Sequence, residues 1–340
     1  MNSACLALFV TTLLAGCGGT TAPTSGSSPT PAGDSSPAPA ADSSPCATAD
    51  AGGPVVLAMG EQGANAMVLD AKNVYWVKGT DASEGPGVTP PDGQILQCSK
   101  CGCDQPTVLA SGERTSPLGA GIAVDATSVY WTDGNVMKVP IGGGAAITLA
   151  VAQAEGDIAV DATSVYWADS AGLMKMAIGG GTPTTLVSRS DVGAIAIDSA
   201  NVYYAAGDGV FKVPLGGGAP TLLAMGNSPD TIAVDAANVY WTNFGTGLAD
   251  ASVMKVPIAG GAATTLAAGV QSPYGLALDA TSVYWTSNNA VMEIPIAGGS
   301  RTTLAPPSPS AGPSGIAVDA TSVYWTNSIS GPVVMKLTPK

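Results

Sequence analysis

From residue 54 onward, apolar residues fall into short runs separated by turns rich in Gly, Pro and Asp. Residues 122–150 show the pattern cleanly: Ile122-Ala123-Val124, then Val129-Tyr130-Trp131-Thr132, then Val136 to Ile141, then Ile147-Thr148-Leu149-Ala150. Runs this short, bounded by turn formers, predict four β-strands, A to D, joined by tight hairpins. The A and B runs are apolar without alternation, which predicts strands covered on both faces. The C run carries a central lysine (Lys138, Lys175, Lys212, Lys255, Lys336), expected to bury its stem and leave its head in water. An Asp at the end of A can accept backbone N–H groups two residues on and close the A–B turn. Gly142-Gly143-Gly144 supplies the positive-φ positions between C and D. Pro140, Pro214, Pro257 and Pro295 fall near the end of strand C, where a missing N–H is tolerated.

The quartet repeats. Asp-Ala-x-x-Val-Tyr-Trp, or a close variant, begins at Asp70, Asp125, Asp161, Asp198, Asp235, Asp279 and Asp319, at spacings of 55, 36, 37, 37, 44 and 40 residues. The Asp198 copy reads Ser199 second and ends Val202-Tyr203-Tyr204. Periods near 40 with four strands each predict an all-β fold, a seven-bladed β-propeller over residues 54–340. The seventh unit reaches strand C (Val333 to Leu337) and lacks a D strand, while Val55-Val56-Leu57-Ala58 at the other end matches Thr221-Leu222-Leu223-Ala224. The N-terminal strand is therefore expected to complete the last blade and remove an open edge. Tyr130-Trp131-Thr132-Asp133, with near-matches at Tyr166, Tyr240 and Tyr324 and weaker ones at Tyr75 and Tyr203, resembles the YWTD-type propellers of lipoprotein-receptor ectodomains. That resemblance implies fold, and by analogy the protein binding common in that family.

The first 53 residues are different. Residues 4–14 are an apolar stretch too short to span a bilayer and read as the core of a signal peptide over residues 1–16, although that segment has no Lys or Arg. Leu14-Ala15-Gly16-Cys17 resembles the lipobox of bacterial lipoproteins. This implies lipidation of Cys17, anchorage to a membrane, and, with Gly18 next, an outer-membrane lipoprotein facing the periplasm or the outside. Residues 17–53 are almost all Gly, Ser, Thr, Pro and Ala with a few Asp besides Cys17 and Cys46, a composition expected to stay disordered as a tether with a reach of about 30–35 Å.

Composition narrows function. The net charge of −13 and only 12 Lys+Arg argue against nucleic acid. No histidine is present, which removes the commonest general base and metal ligand. The aromatic ladder in strand B (Trp76, Trp131, Trp167, Tyr204, Trp241, Trp285, Trp325) reads as core, and the seven repeat Asp residues read as turn formers rather than a carboxylate ring. Cys46, Cys98, Cys101 and Cys103 are expected to form disulfides in an oxidising envelope, Cys98 with Cys103 and Cys46 with Cys101; a metal site is the alternative.

Insertions fall in the B–C and D–A connections (residues 78–93, 112–121, 243–252 and 306–315), which emerge on one face of a propeller. That face is acidic: Glu61, Asp81, Glu84, Asp92, Glu113, Asp133, Glu155, Asp157, Asp169, Asp191, Asp208, Asp230 and Asp250 stand against Lys78, Arg114 and Arg189. Such a surface either steers a basic partner or serves solubility. Asn65, Asp157, Asp230, Thr231, Tyr274 and Ser314 are expected at the channel mouth just before strand A, with Ala120, Gly193 and Gly275 in the other blades; Phe244 joins the candidate face from an insertion. Asp157 and Asp230 are weak candidates for a Ca²⁺ site, a position that propeller hydrolases and lactonases use. Three readings follow: a non-enzymatic binding or scaffold propeller for a protein, peptide or glycan; a metal-dependent hydrolase, lactonase or lyase; and a structural envelope protein.

Overall fold

The computed structural model describes residues 52–59, 63–79, 93–113, 121–154, 156–245, 250–287, 290–306, 312–328 and 334–340. The expected signal peptide, Cys17, residues 17–51 of the expected tether, Cys46, Glu61, Asp81, Glu84, Asp92, Arg114, Ala120 and Glu155 lie outside the described residues, as does the side chain of Glu113. Among the described residues, twenty-eight strands form seven separate four-stranded sheets, each antiparallel in the order A-B-C-D. The A strands are Ala64–Leu69, Ile122–Val124, Ile158–Val160, Val192–Ile197, Pro229–Val234, Leu276–Leu278 and Pro313–Val318, opening blades 1 to 7 in turn. Blade 7 takes its fourth strand from Val55–Ala58, which pairs with Val334–Leu337 through Val55 with Lys336 and Val56 with Met335. The expected closure is present.

The Tyr-Trp pair explains how blades stack. Successive residues in a strand face opposite sides of the sheet, so Tyr points to one neighbouring blade and Trp to the other. Tyr130 of blade 2 packs in one layer with Trp167 of blade 3, Tyr240 with Trp285, and Tyr324 of blade 7 with Trp76 of blade 1. Each layer between blades receives one ring from each side, and the last layer joins the chain's two ends. These side chains are almost wholly buried.

Each repeat Asp does more than close its turn. Asp125 accepts the N–H groups of Thr127 (2.6 Å) and Ser128 (2.8 Å) on one oxygen and the Tyr130 hydroxyl (2.7 Å) on the other. All seven units repeat the Tyr–Asp bond. The bond supplies a partner for a tyrosine otherwise sunk in apolar packing. Burial pushes these carboxyls up, but the hydrogen bonds outweigh it and hold Asp70, Asp125, Asp161 and Asp198 below the ordinary range.

The strand C lysines depart from expectation. Their heads are not left in water. Lys175 donates to the Leu215 carbonyl of the next blade (2.8 Å), Lys212 to Ile258 (2.6 Å), Lys255 to Ile296 (2.7 Å) and Lys336 to Lys100 (3.3 Å). Lys138 lies 5.0 Å from the centre of the Tyr130 ring. The C–D turn of the following blade exposes a carbonyl within reach of each stem, and a charge-assisted bond there is stronger than a neutral one. Blade 6 has Glu293 at this position, and Lys340 reaches back instead to Asp279 (2.5 Å).

Candidate binding site at the channel mouth

The seven A strands converge on a central cavity of about 840 Å³ lined by residues from every blade. This volume falls within the roughly 300–1,000 Å³ of small-ligand sites. Asn65, Asp157, Gly193, Asp230, Thr231, Tyr274, Gly275 and Ser314 all line it, so the residues expected at the mouth are brought together there.

Their local setting is more specific than a position just before strand A. In blades 1, 4, 5 and 7 the A–B ladder breaks, and two residues of A face one of B. Pro229 pairs with Asn243 and Ile232 with Trp241, leaving Asp230 and Thr231 opposite Thr242. The same break frees Asn65-Ala66, Gly193-Ala194 and Ser314-Gly315. Such bulges re-aim side chains at the rim of a sheet.

The residue just before the conserved Ile, Leu or Met of strand A and the Thr of the Tyr-Trp-Thr motif form a joint. Thr132 accepts the Gly121 N–H (2.9 Å) and donates to the Gly156 carbonyl of blade 3 (2.8 Å). Thr286 does the same with Gly275 (2.8 Å) and Ser314 (2.6 Å), and Thr326 with Gly315 (2.8 Å) and Asn65 (2.7 Å). Drawing the next strand so close leaves no room for a Cβ: one built on Gly315 would stand 2.2 Å from the Asn65 oxygen. Where the Thr is replaced, by Val77, Ala168 or Ala205, the partner is Ala66, Asp157 or Ala194 rather than Gly. In blade 5 Thr231 stands there, its hydroxyl 2.8 Å from that of Thr242.

Asp157 therefore has a structural task. With Ala168 lacking the hydroxyl, its carboxylate links blades 3 and 4 by accepting the N–H groups of Ile158 (2.9 Å) and Ile195 (3.1 Å). Burial outweighs these two bonds and pushes its pKa up to about 6. Among the described residues, no three His, Cys, Asp or Glu side chains gather in a group able to hold a metal ion.

The other acids of this face divide as follows. Asp133 accepts the N–H of Asn135 (3.0 Å), and Asp169 those of Ala171 (2.7 Å) and Gly172 (3.1 Å) with the Trp167 indole N–H (3.1 Å). Arg189 bridges Asp191 (2.5 Å) and Asp208. Asp250 accepts from Asn227 (3.0 Å). Asp230 has no hydrogen-bond or ion-pair partner among the described residues. It is exposed to the cavity, yet its surroundings desolvate it enough to raise its pKa.

Tyr274, at the equivalent position of the next blade, lines the same cavity and pairs with Phe244. Phe244 and Tyr274 are each 43% exposed, the only exposed aromatic side chains among the described residues. Their ring centres lie 6.1 Å apart at 58°. Phe244 is fixed to the rim by its N–H, which donates to the Ser228 carbonyl (3.0 Å). Sequence reasoning placed both on this face but gave no reason to pair them. The available signal was that Tyr274 is the one tyrosine outside the Tyr-Trp or Tyr-Tyr motifs.

Cys98, near the end of strand C of blade 1, and Cys101 and Cys103, in the C–D connection that follows, do not line the mouth. Cys98 and Cys103 form a disulfide, and Cys101 is also disulfide-bonded. The Cys103 N–H donates to the Leu57 carbonyl (3.2 Å), which sets this turn against the strand that closes the ring.

No family model and no curated protein matches the chain. Solved structures do. Virginiamycin B lyase from Staphylococcus aureus, a catalytically inactive His-to-Ala form with quinupristin, is 12% identical with a TM-score of 0.66, covering 84% of this chain and 99% of that one. The extracellular domain of a putative hybrid two-component system from B. thetaiotaomicron is 10% identical, TM-score 0.63, over 84% and 39%. PorZ, a bacterial surface component of the type-IX secretion system of Porphyromonas gingivalis, is 12% identical, TM-score 0.56, over 80% and 36%. Likeness at this identity shows the propeller fold alone.

Proposed function

We propose that this chain is an envelope-anchored lipoprotein whose propeller binds a ligand at the channel mouth and catalyses no reaction. The observation that carries this reading is the pairing of Phe244 with Tyr274. Every other described aromatic side chain is packed into the layers between blades, whereas these two meet in the open beside a cavity lined by all seven blades. Exposed rings on a rigid scaffold supply contact area at little entropic cost.

Two further points favour binding over turnover. The similar lyase structure is of a form inactivated by loss of a histidine, and this chain has no histidine to supply. Asp157, one of the two mouth carboxylates that a metal-dependent hydrolase would use, has both oxygens engaged by backbone N–H groups. Anchorage rests on the lipobox-like Leu14-Ala15-Gly16-Cys17. The extracellular domain and surface component among the similar structures are compatible with an envelope location.

Chemical cross-linking of the lipoprotein in its native envelope tests the reading. A captured partner lost in the Phe244→Ala/Tyr274→Ala variant supports it. Capture unaffected by that variant moves the site elsewhere, and no capture favours a purely structural role. Incorporation of labelled palmitate that Cys17→Ser abolishes supports the anchor.

A further inference from the structure

The mouth is not symmetric. The residue that each blade presents to the cavity, two positions before the conserved Ile, Leu or Met of strand A, is Asn65, Asp230, Tyr274 and Ser314 in blades 1, 5, 6 and 7, but Gly156 and Gly193 in blades 3 and 4. The four functional side chains come from adjacent blades, since blade 7 closes on blade 1. They are delivered alike. Two positions earlier the backbone is left-handed in all four: Gly63 (φ 94°), Ser228 (φ 54°), Ser272 (φ 42°) and Gly312 (φ 54°).

Blades 5 and 6 share a stricter device. Ser228-Pro229-Asp230 and Ser272-Pro273-Tyr274 both hold a serine left-handed directly before a proline, and these are the only non-glycine residues with positive φ among the described residues. A β-carbon disfavours this conformation, and the following proline restricts it further. The surrounding structure holds the strain at the two turns that present Asp230 and Tyr274.

Asp230 is also distinct in charge. The other described acids of the face are each spent on a turn, a strap between blades, Arg189 or Asn227, whereas Asp230 has no partner among the described residues. Asp230 and Tyr274 hold the same position in adjacent blades and line one cavity, and Tyr274 pairs with the exposed ring of Phe244; a carboxylate and two exposed rings on one lip match one chemical class. The carboxylate attracts a positive charge, and the negative faces of aromatic rings attract the same charge.

We infer that the lip formed by blades 5 and 6 binds an organic cation, an ammonium or guanidinium group seated on Asp230 between Phe244 and Tyr274. The group comes either from a free amine or from a Lys or Arg side chain of a peptide. This inference rests on the mouth being the ligand site and adds the class of ligand.

Titration calorimetry on the full chain in non-ionic detergent tests it with cadaverine, a terminally blocked tetralysine, its norleucine counterpart and maltotetraose. Binding of tetralysine, with or without cadaverine, supports the inference; the cadaverine arm separates a free amine from a peptide side chain. Asp230→Asn should weaken binding roughly ten-fold or more, and Tyr274→Ala or Phe244→Ala roughly five- to ten-fold. Asp133→Asn, on the same face but in the opposite half of the ring, should leave it unchanged. Equal losses in Asp133→Asn and Asp230→Asn would reveal diffuse charge attraction and overturn the inference. So would norleucine-peptide binding as tight as that of tetralysine, binding of maltotetraose alone, or no binding of either amine. Asp230→Ser provides a second variant should Asp230→Asn fail to fold. A Tyr274-dependent partner captured in the envelope, together with failure of both amines, would remove the cation while leaving the site.

Discussion

The Gly–Thr joint between blades makes a quantitative prediction at Gly315 and Thr326. In Gly315→Ala the new Cβ stands 2.2 Å from the Asn65 oxygen and 3.1 Å from both the Met67 nitrogen and Thr326 Oγ1. The first of these is backbone held by a 2.7 Å bond from Thr326, so blade 1 must move outward. Overpacking of about 1–3 kcal/mol and a lost hydrogen bond of about 1 kcal/mol give roughly 2–4 kcal/mol. Thr326→Ala strands the Gly315 N–H and the Asn65 carbonyl, at about 1–3 kcal/mol. The double variant recreates the pairing that blade 4 carries as Ala194 and Ala205. With no hydroxyl to draw the Asn65 carbonyl inward, the added methyl has room, and the double variant should recover roughly 1–2 kcal/mol relative to the sum of the singles. Urea unfolding followed by tryptophan fluorescence measures all three, with Gly216→Ala as a control whose Cβ meets nothing within 4 Å. Strict additivity of the two singles would refute the argument that the threonine creates the need for glycine.

Other consequences are more briefly stated. Asp157 has a folded-state pKa of about 6 against an ordinary 3.8, so the folded chain binds more protons between pH 4 and 6 and stability from this group falls as pH rises through that window, by an amount on the order of 2–3 kcal/mol. Asp157→Asn should flatten that slope in urea midpoints. Asp279 and Asp319 act oppositely: burial is outweighed by bonds from Lys340 and Lys100, and the stability they provide above the ordinary carboxylate pKa is lost as pH falls below it. Deleting residues 54–58 removes the fourth strand of blade 7 and uncovers the layer of Trp76, Tyr324 and Val334, so the melting transition should collapse; an unchanged curve would contradict closure by that strand. Non-reducing mass mapping should find Cys46 joined to Cys101, and four free thiols would exclude it.

The fold was legible because it is written seven times. One Asp-Ala-x-x-Val-Tyr-Trp unit states a turn, a buried strand and one large ring for each face of the sheet, and the missing D strand at one end matches the spare strand at the other. What escaped sequence reasoning depends on contacts between units. Whether Lys175 ends in water or on the Leu215 carbonyl is set by how closely the next blade stands, which no single repeat encodes. The mouth residues were found by alignment, because convergence of seven A strands follows from the architecture. Their unequal roles were not: Asp157 stands one position before Ile158, in the place of the joint glycine and opposite an Ala168 that lacks the hydroxyl, and becomes a strap, whereas Asp230 stands two positions before Ile232 and faces the cavity. The left-handed serines at Ser228 and Ser272 run against the ordinary preference before proline, so sequence rules point away from the conformation adopted.

The central claim is that ligand is bound at the mouth beside Phe244 and Tyr274. It is tested most directly by placing a photo-cross-linking residue at position 274, and separately at position 216 in a C–D turn on the opposite face, and illuminating intact cells. A discrete adduct from position 274 and none from position 216 is the predicted result. Adducts from position 216 alone, or equally from both, would contradict it.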